Sequence, residues 1–117
     1  TRSALERGMR FTLHTDTPIV PMEPMRLIWS AVNRTSTSGA TIGAAQRITP
    51  MQALRATTID AAYQNFEEQT RGSIEPGKWA DLVVLSDNPT TIDPQSIKDI
   101  RVLETVLEGQ SVYRAPQ

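Results

Sequence analysis

The sequence contains no cysteine, and this absence excludes a disulfide framework, a thiolate metal site and a cysteine nucleophile from the chain. Aromatic residues are also scarce, at 5% of 117 residues, so we expect a modest apolar core. A single histidine is present, His14, whereas a catalytic zinc site usually has three protein ligands that are most often histidines. The chain is therefore not expected to build such a site alone.

Charge of one sign is not in excess, because 12 Lys and Arg residues are balanced by 13 Asp and Glu residues. Without a basic surplus the chain lacks the electrostatic signature of a nucleic-acid-binding or membrane-surface protein, so neither partner is predicted. No apolar run approaches the roughly 20 residues that span a bilayer, and the N-terminus does not resemble a signal peptide. The compartment stays open, with the cytoplasm favoured. Because the first residue is Thr1 and not methionine, we expect a processed product or a piece of a longer protein.

Local signals in the first 70 residues predict helices around one short strand. Alternating apolar and polar side chains predict a strand over residues 9–14, after a helix that ends near Gly8. A second helix is predicted to begin at Pro24, since an apolar stripe at helical spacing follows it, namely Met25, Ile28, Trp29 and Val32. Small and polar residues over 33–47 predict a surface loop.

The clearest helix start is at Thr49, which is followed by a proline at the first helical position and by Gln52 at the third. We expect this helix to reach about Phe66. Its buried side is predicted to consist of Met51, Leu54, Thr58, Ala61 and Ala62.

Beyond residue 70 the pattern changes to short strands separated by turns. Pro76 and Gly77 are typical of a type II turn, in which glycine supplies the positive φ. The nearly continuous apolar run over 81–86 predicts a strand that is covered on both faces. Two further strands, 100–107 and 110–114, are separated by a Glu-Gly pair and predict a hairpin.

Asp16 is the strongest candidate for chemistry. It follows the predicted strand, and a carboxylate just past the end of a barrel strand is where (β/α)-barrel enzymes place catalytic groups. Such a carboxylate can ligate a metal or take a proton from water. The alternative is an ordinary turn or cap residue. His14 also has two interpretations, as a hydrogen-bonded structural residue or as a residue that lines a pocket.

Two arginines, Arg34 and Arg47, flank the polar loop. They could meet an anionic substrate, or they could be solvated surface charges. The glycines of the loop lack the Gly-Lys-Ser/Thr ending of a phosphate-binding P-loop. Asn33, with the two residues after it, matches the acceptor pattern for N-glycosylation, a short pattern that often occurs by chance.

Two stretches carry a family resemblance. Residues 72–85 read Gly-Ser-Ile-Glu-Pro-Gly-Lys-Trp-Ala-Asp-Leu-Val-Val-Leu, which resembles the C-terminal signature of the amidohydrolase superfamily. Residues 8–20 read Gly-Met-Arg-Phe-Thr-Leu-His-Thr-Asp-Thr-Pro-Ile-Val, which resembles barrel strand 8 and its loop in the amidohydrolase 3 branch. The resemblance extends over essentially the whole chain, because further stretches are similar to the same branch: 24–34, 48–62, 97–102 and 106–113.

The resemblance implies an α/β fold followed by a β fold. Residues 1–70 would form the C-terminal end of a TIM-type (β/α)8 barrel, with strand 8 and the helices after it. Residues 71–117 would form part of a C-terminal β-sandwich, the composite domain. The implied activity is metal-dependent hydrolysis of C–N bonds, such as amides, in a small-molecule substrate. In this family the aspartate after strand 8 corresponds to Asp16, which contacts the metal and carries a proton to the leaving amine, and His14 would line the substrate pocket.

The resemblance also implies a divalent metal, with zinc expected. The family's His-x-His pair after strand 1, its bridging lysine or carboxylate and its later histidines are absent from the sequence, and a complete barrel takes about 250 residues. The chain would therefore be inactive without an N-terminal part, or a second chain, that supplies those ligands. The alternative is a non-catalytic interaction or structural module whose exposed face would favour homo-oligomers. A proteolytic remnant is the third interpretation.

Overall fold

The computed structural model describes residues 1–116. Its α-helices are α1 (Arg2–Glu6), α2 (Pro24–Asn33), α3 (Pro50–Thr57) and α4 (Ile59–Gln64), and two short 3₁₀ helices cover Ala44–Gln46 and Pro94–Asp99. The strands β1 (Leu82–Leu85), β2 (Val102–Leu107) and β3 (Gln110–Arg114) form one antiparallel sheet with β2 at its centre. Within these 116 residues no helix is both long enough and apolar enough to cross a membrane.

The helix ends are set by the local signals in the sequence. At the start of α3, Thr49 Oγ1 accepts a hydrogen bond from the Gln52 N–H at 3.2 Å, and Gln52 Oε1 accepts one from the Thr49 N–H at 2.9 Å. The two side chains thereby satisfy backbone donors that the first helical turn cannot pair. Gly8 has a φ of +69° and follows α1, as a glycine that closes a helix does. The predicted starts of α2 and α3 are confirmed.

The predicted helix over 50–66 is wrong in its continuity, because it is broken at Thr58 into α3 and α4. Two neighbouring threonines explain the break. Thr57 Oγ1 donates to the carbonyls of Ala53 and Leu54, and Thr58 Oγ1 donates to the Leu54 carbonyl at 2.7 Å. These hydroxyls compete with the backbone N–H groups for the same acceptors, which bends or ends a helix. Small residues then form the buried side, whereas Met51, predicted to be buried, is 55% exposed.

The predicted strand over residues 9–14 is not formed, and this stretch has no regular secondary structure. Its Leu13 N–H donates to the Ala56 carbonyl at 3.3 Å, so the segment lies against α3. A strand requires a neighbouring strand to accept and donate its backbone hydrogen bonds. The described residues offer none beside this segment, since the sheet is built from β1, β2 and β3 alone.

The sheet confirms the predicted hairpin and corrects the predicted burial of β1. β2 and β3 are joined by Glu108 and Gly109, whose φ values of +49° and +80° are those of a tight hairpin turn. β2 begins at Val102, two residues later than expected. β1 was expected to be covered on both faces, but Val83 and Val84 point to opposite faces and are 52% and 47% exposed. Among the residues of this strand Leu85 packs partly against the core, whereas the other three are exposed.

The apolar core lies between α2, α3 and the segment around the 94–99 helix. Ile28 on α2 is 2% exposed, Ala53 on α3 is fully buried, and Ile97 is fully buried. The predicted apolar stripe of α2 is confirmed, since Met25, Ile28 and Val32 belong to this core and Trp29 packs against it. The core therefore takes side chains from both sides of residue 70.

Candidate functional site

Asp16 lies where the irregular segment over residues 9–15 ends and the chain turns. Phe11 and Leu13 of that segment pack against the core, which fixes the approach of the chain to the turn. Asp16 itself has a φ of +52°, in the left-handed region, which aspartate tolerates better than most residues. Its side chain is exposed to solvent. The turn therefore presents a carboxylate at the end of an anchored segment.

His14 and Asp16 contact each other through the backbone. The Asp16 N–H donates a hydrogen bond to His14 Nδ1 at 3.1 Å. A ring nitrogen that accepts a hydrogen bond carries no proton, so this bond places the proton of a neutral His14 on Nε2. The structure thus brings the two predicted site residues together, and His14 holds the turn that carries the carboxylate.

Further hydrogen bonds close the turn on itself. The Ile19 N–H donates to the Asp16 carbonyl at 2.8 Å, and Thr17 Oγ1 donates to the Val20 carbonyl at 3.1 Å. The hydroxyls of Thr15 and Thr17 are 2.8 Å apart. The backbone around Asp16 is thereby held before any ligand arrives, which is what a group that must be positioned for chemistry requires.

The described residues do not fit a complete metal site. Over residues 1–116 no group of three or more His, Cys, Asp or Glu side chains is placed to hold a metal ion. The donors near Asp16 are its own carboxylate and His14, and His14 already uses Nδ1 to accept the Asp16 N–H. A catalytic zinc needs about three protein ligands. Residues 1–116 thus form no complete metal centre.

The signature stretch forms a turn held by charged and hydroxyl side chains. The Lys78 N–H donates to the Glu75 carbonyl at 3.2 Å and Gly77 has a φ of +92°, which confirms the predicted turn. Lys78 Nζ lies 2.9 Å from Glu75 Oε2 and 2.6 Å from Ser73 Oγ, and Ser73 donates to the same carboxylate. The hydrogen bond from Ser73, followed by those of Lys78 and its charge, lowers the pKa of Glu75 below its ordinary value of 4.5.

This Ser–Lys contact is structural. A serine nucleophile needs a neutral base beside it. Here Lys78 Nζ is paired with the Glu75 carboxylate, and the Ser73 hydroxyl proton is directed at Glu75. The group fixes the turn that leads the chain into β1, and we assign it no chemistry.

A groove of about 650 Å³ lies between the α3–α4 pair and β1, and neither His14 nor Asp16 lines it. At its wall the Arg71 guanidinium stacks over the Trp79 ring at 4.4 Å and lies 3.6 Å from Glu67 and 3.9 Å from Asp81. Asp81 Oδ1 also accepts from the Glu108 N–H at 2.9 Å. These contacts tie the end of α4 to the sheet, so the groove is bordered by a structural ion-pair network.

Sequence reasoning missed the role of Asn33, which appeared only as part of a glycosylation pattern. The residue is 4% exposed at the end of α2. Its Nδ2 donates to the carbonyls of Trp29 and Pro94 at 3.1 and 2.8 Å, and its Oδ1 accepts from Gln95 Nε2 at 2.7 Å. The donor and acceptor groups of this amide are therefore engaged in hydrogen bonds that join α2 to the 94–99 helix. No sequence signal short of the fold itself indicates such a role.

Comparison with known proteins decides the family. The sequence profile of the amidohydrolase family matches residues 1–113. The chain belongs to the amidohydrolase family. Members of this family generally use a divalent metal ion. The predicted family is thus confirmed over nearly all of the chain.

The amidohydrolase relatives are much longer than this chain. The N-substituted formamide deformylase of Arthrobacter pascens is 34% identical over 112 residues, which is 96% of this chain and 21% of the relative. An amidohydrolase structure from Thermotoga maritima superimposes with a TM-score of 0.71 at 25% identity, over 97% of this chain and 25% of that one. E. coli guanine deaminase shares the fold, with a TM-score of 0.72 at 16% identity, over 98% and 30% of the two chains. The chain spans about a fifth of the length of the curated relative.

Proposed function

We propose that this chain is the C-terminal part of a metal-dependent amidohydrolase that hydrolyses C–N bonds of the amide type, with Asp16 as its catalytic carboxylate. The observation that supports this function is the family match over residues 1–113 together with an exposed carboxylate at the end of an anchored segment. The similar deformylase acts, by its name, on N-substituted formamides, which contain an amide C–N bond. The proposed substrate is a small molecule with such a bond.

Within the whole protein, residues 1–70 are proposed to be the end of a TIM-type barrel, and residues 71–117 part of the composite β-sandwich. Two corrections of the sequence-based expectations support this placement. The segment over residues 9–14 has the side-chain pattern of a strand but no strand beside it in the described residues, as expected of a barrel strand separated from its neighbours. β1 is exposed on both faces, as expected of a sheet whose second layer lies elsewhere.

Asp16 is proposed to move the proton that amide hydrolysis requires. Its carboxylate accepts a proton from the attacking water while the water oxygen bonds to the carbonyl carbon. It returns that proton to the nitrogen as the C–N bond breaks, so the amine leaves neutral. His14 holds the Asp16 backbone through Nδ1 and is proposed to line the substrate pocket with the rest of its ring. Both residues are placed by the same turn.

A divalent ion, with zinc proposed, would supply an activated water in the complete protein. Asp16 would provide one of its ligands, and the remaining ligands would come from outside these residues, in the N-terminal part or a second chain. We therefore propose that the 117-residue chain alone is inactive.

A second candidate function is a non-catalytic interaction module. The specific observation in its favour is apolar exposure on the sheet, since Val83 is 52% exposed, Val112 59% and Leu107 49%. Apolar surface of this kind usually marks a surface that another protein part covers. Under this alternative, the sheet would bind a second copy of the chain, and Asp16 would have no role in turnover.

The proposed function is tested by Asp16→Asn in the full-length protein that carries this chain. Asparagine keeps the shape of the side chain and tolerates a positive φ, so the turn is expected to survive while the proton acceptor is lost. Turnover of amide substrates should fall by about 100-fold or more, the usual effect of removing a general acid–base group. The measurement is kcat with metal present, alongside the melting temperature.

Asp99→Asn is the matched control, because Asp99 is also an exposed aspartate and lies at the end of the 94–99 helix. It should leave turnover unchanged. If Asp16→Asn and Asp99→Asn both turn over substrate at the wild-type rate, Asp16 has no part in the mechanism. If no amide substrate is hydrolysed even by the full-length wild type, the interaction module becomes the better interpretation.

A further inference from the structure

The loop that joins α2 to α3 carries positive charge without compensating negative charge. Residues 24–59 contain four arginines and no Asp or Glu, although acidic residues outnumber basic ones in the chain as a whole. Arg26 pairs with Glu23 at 2.8 Å, just outside this segment. Over the described residues, neither Arg34 nor Arg47 has a carboxylate within 4.0 Å, since neither takes part in any of the ion pairs that the structure forms.

Both arginines are held at the neck of this loop. Arg34, which closes α2 with a φ of +56°, donates from Nε to the Ile42 carbonyl at 2.9 Å. Arg47 donates from Nε to the Asn33 carbonyl at 2.9 Å, and its Nη2 lies 3.5 Å from Thr41 Oγ1. The two guanidinium groups therefore lie against the same two backbone segments of the neck, Asn33–Arg34 on one side and Thr41–Ile42 on the other.

The neck itself is fixed by the backbone. The Ile42 N–H donates to the Arg34 carbonyl at 2.8 Å, and Thr35 and Thr41 form an isolated β-bridge. Gly43 lies beside one guanidinium, because a Cβ atom built there would lie 3.4 Å from Arg34 Nη2. Both side chains are thus pinned at Nε in place, so less rotamer freedom remains to be lost when a ligand binds.

An arginine that is pinned through Nε still has its two Nη groups, and these match the two oxygens of a carboxylate or phosphate. Among the residues described, these Nη groups have one long contact, that of Arg47 with Thr41. The loop around them is rich in hydroxyl groups that can donate further hydrogen bonds: Thr35, Ser36, Thr37, Ser38 and Thr41. We propose that Arg34 and Arg47 at the neck of the 34–47 loop form a binding site for an oxyanion, a carboxylate or a phosphate group.

The experiment follows the side-chain Nε–H signals of the arginines by NMR in the full-length protein that carries this chain, with Arg34, Arg47 and Arg55 assigned from the variants below. Inorganic phosphate and acetate are titrated separately against sodium chloride at constant ionic strength. The signals of Arg34 and Arg47 should shift and saturate with a common dissociation constant, whereas that of Arg55 should stay within the chloride baseline. Tighter binding of phosphate would indicate a phosphorylated ligand, and tighter binding of acetate would indicate a carboxylate.

Four variants separate geometry from charge. Arg34→Gln and Arg47→Gln should each weaken binding about tenfold or more, because each removes one of the two guanidinium groups that would contact the oxyanion. Arg55→Gln removes the same charge from the same acid-free segment and should change the affinity less than about twofold, since a single exposed charge contributes little. Arg34→Lys keeps the charge but cannot present two parallel N–H groups, so it should also weaken binding several-fold.

The test needs no turnover, so it does not depend on the role proposed for Asp16. The proposal is overturned if the wild-type signals of Arg34 and Arg47 do not saturate. It is overturned equally if all arginine signals shift alike, or if Arg34→Lys binds as tightly as the wild type. A variant that fails to fold leaves the residue-resolved titration of the wild-type chain as the deciding measurement.

Discussion

Two stretches of this chain, residues 9–14 and β1, differ in apolar pattern, which alternates in the first and is continuous in the second, and they differ in the structure they form. Both were expected to be strands on the basis of their side chains. β1 forms a strand because β2 follows in the same chain and pairs with it over Leu82 to Leu85. Residues 9–14 form no strand, because no strand of the described chain lies beside them. A side-chain pattern typical of a strand is thus not sufficient, since the supply of hydrogen-bonding partners decides whether a strand exists.

The largest expected effect concerns the point where the sheet-bearing part joins α4. Gly72 has a φ of +89°, and a Cβ atom there would lie 2.7 Å from Ala62 Cβ and 2.9 Å from Ile59 Cα. Gly72→Ala combines backbone strain with a clash against a helix, so we expect a loss of roughly 3–5 kcal/mol in the free energy of unfolding. Chemical denaturation measures it.

Gly77→Ala is the matched control in the same stretch. Gly77 also has a positive φ, +92°, but a Cβ atom there would meet nothing within 4 Å. The loss should therefore be strain alone, about 1–2 kcal/mol. Equal losses at the two positions would show that the contact of Gly72 with α4 contributes nothing.

Amide hydrogen exchange sharpens the comparison between the two stretches directly. The backbone N–H groups of Arg10, Phe11 and Thr12 have no backbone acceptor among the described residues, whereas β2 is paired on both edges. Exchange at residues 10–12 should be faster than at the centre of β2 by on the order of 100-fold. Leu13 is the internal control, since its N–H donates to Ala56 and should be protected relative to its neighbours. Protection of residues 10–12 equal to that of β2 would mean that they have found a strand partner.

The smallest expected effect is on the turn that leads into β1. Ser73 and Lys78 lower the pKa of Glu75, so this carboxylate contributes stability above its ordinary value of 4.5 and loses it as the pH falls through the lowered folded value. Ser73→Ala should move the pKa of Glu75 upwards, towards 4.5, in an NMR titration. Ser38→Ala, at an exposed serine of the 34–47 loop, should leave it unmoved. If the pKa of Glu75 is unchanged in Ser73→Ala, the hydrogen bond from Ser73 does not lower it.

Features fixed by neighbouring residues could be predicted from the sequence. The capping box at Thr49, the turn at Gly77 and the hairpin at Glu108 and Gly109 each depend on a few adjacent residues and are present. The 94–99 helix escaped prediction although Asp93 caps it, with its side chain accepting from the Gln95 N–H at 2.8 Å. Asp and Pro are as common in turns as at helix starts, so that signal did not discriminate.

The parts that could not be predicted depend on residues distant in the chain. Burial of β1 requires a second layer that other parts of a protein supply. The break at Thr58 reflects a competition between threonine hydroxyls and backbone N–H groups for the same carbonyl acceptors. For the site, proximity in sequence was enough to place His14 beside Asp16, but not to reveal that the ring accepts the Asp16 N–H. The joining role of Asn33 with Pro94 requires the tertiary fold.

The core that takes side chains from both sides of residue 70 has a practical meaning for anyone who divides this protein for expression. Ile97 and Ile100 lie in the same buried cluster as Ile28 and Val32. A gene that stops near residue 70 would encode a product in which α2 lacks the isoleucines that cover part of its apolar face. A gene that starts there would encode Ile97 and Ile100 without the helix against which they pack. The proposed boundary between barrel and sandwich is a boundary of architecture, and a cloning junction placed there would separate side chains that share one buried core.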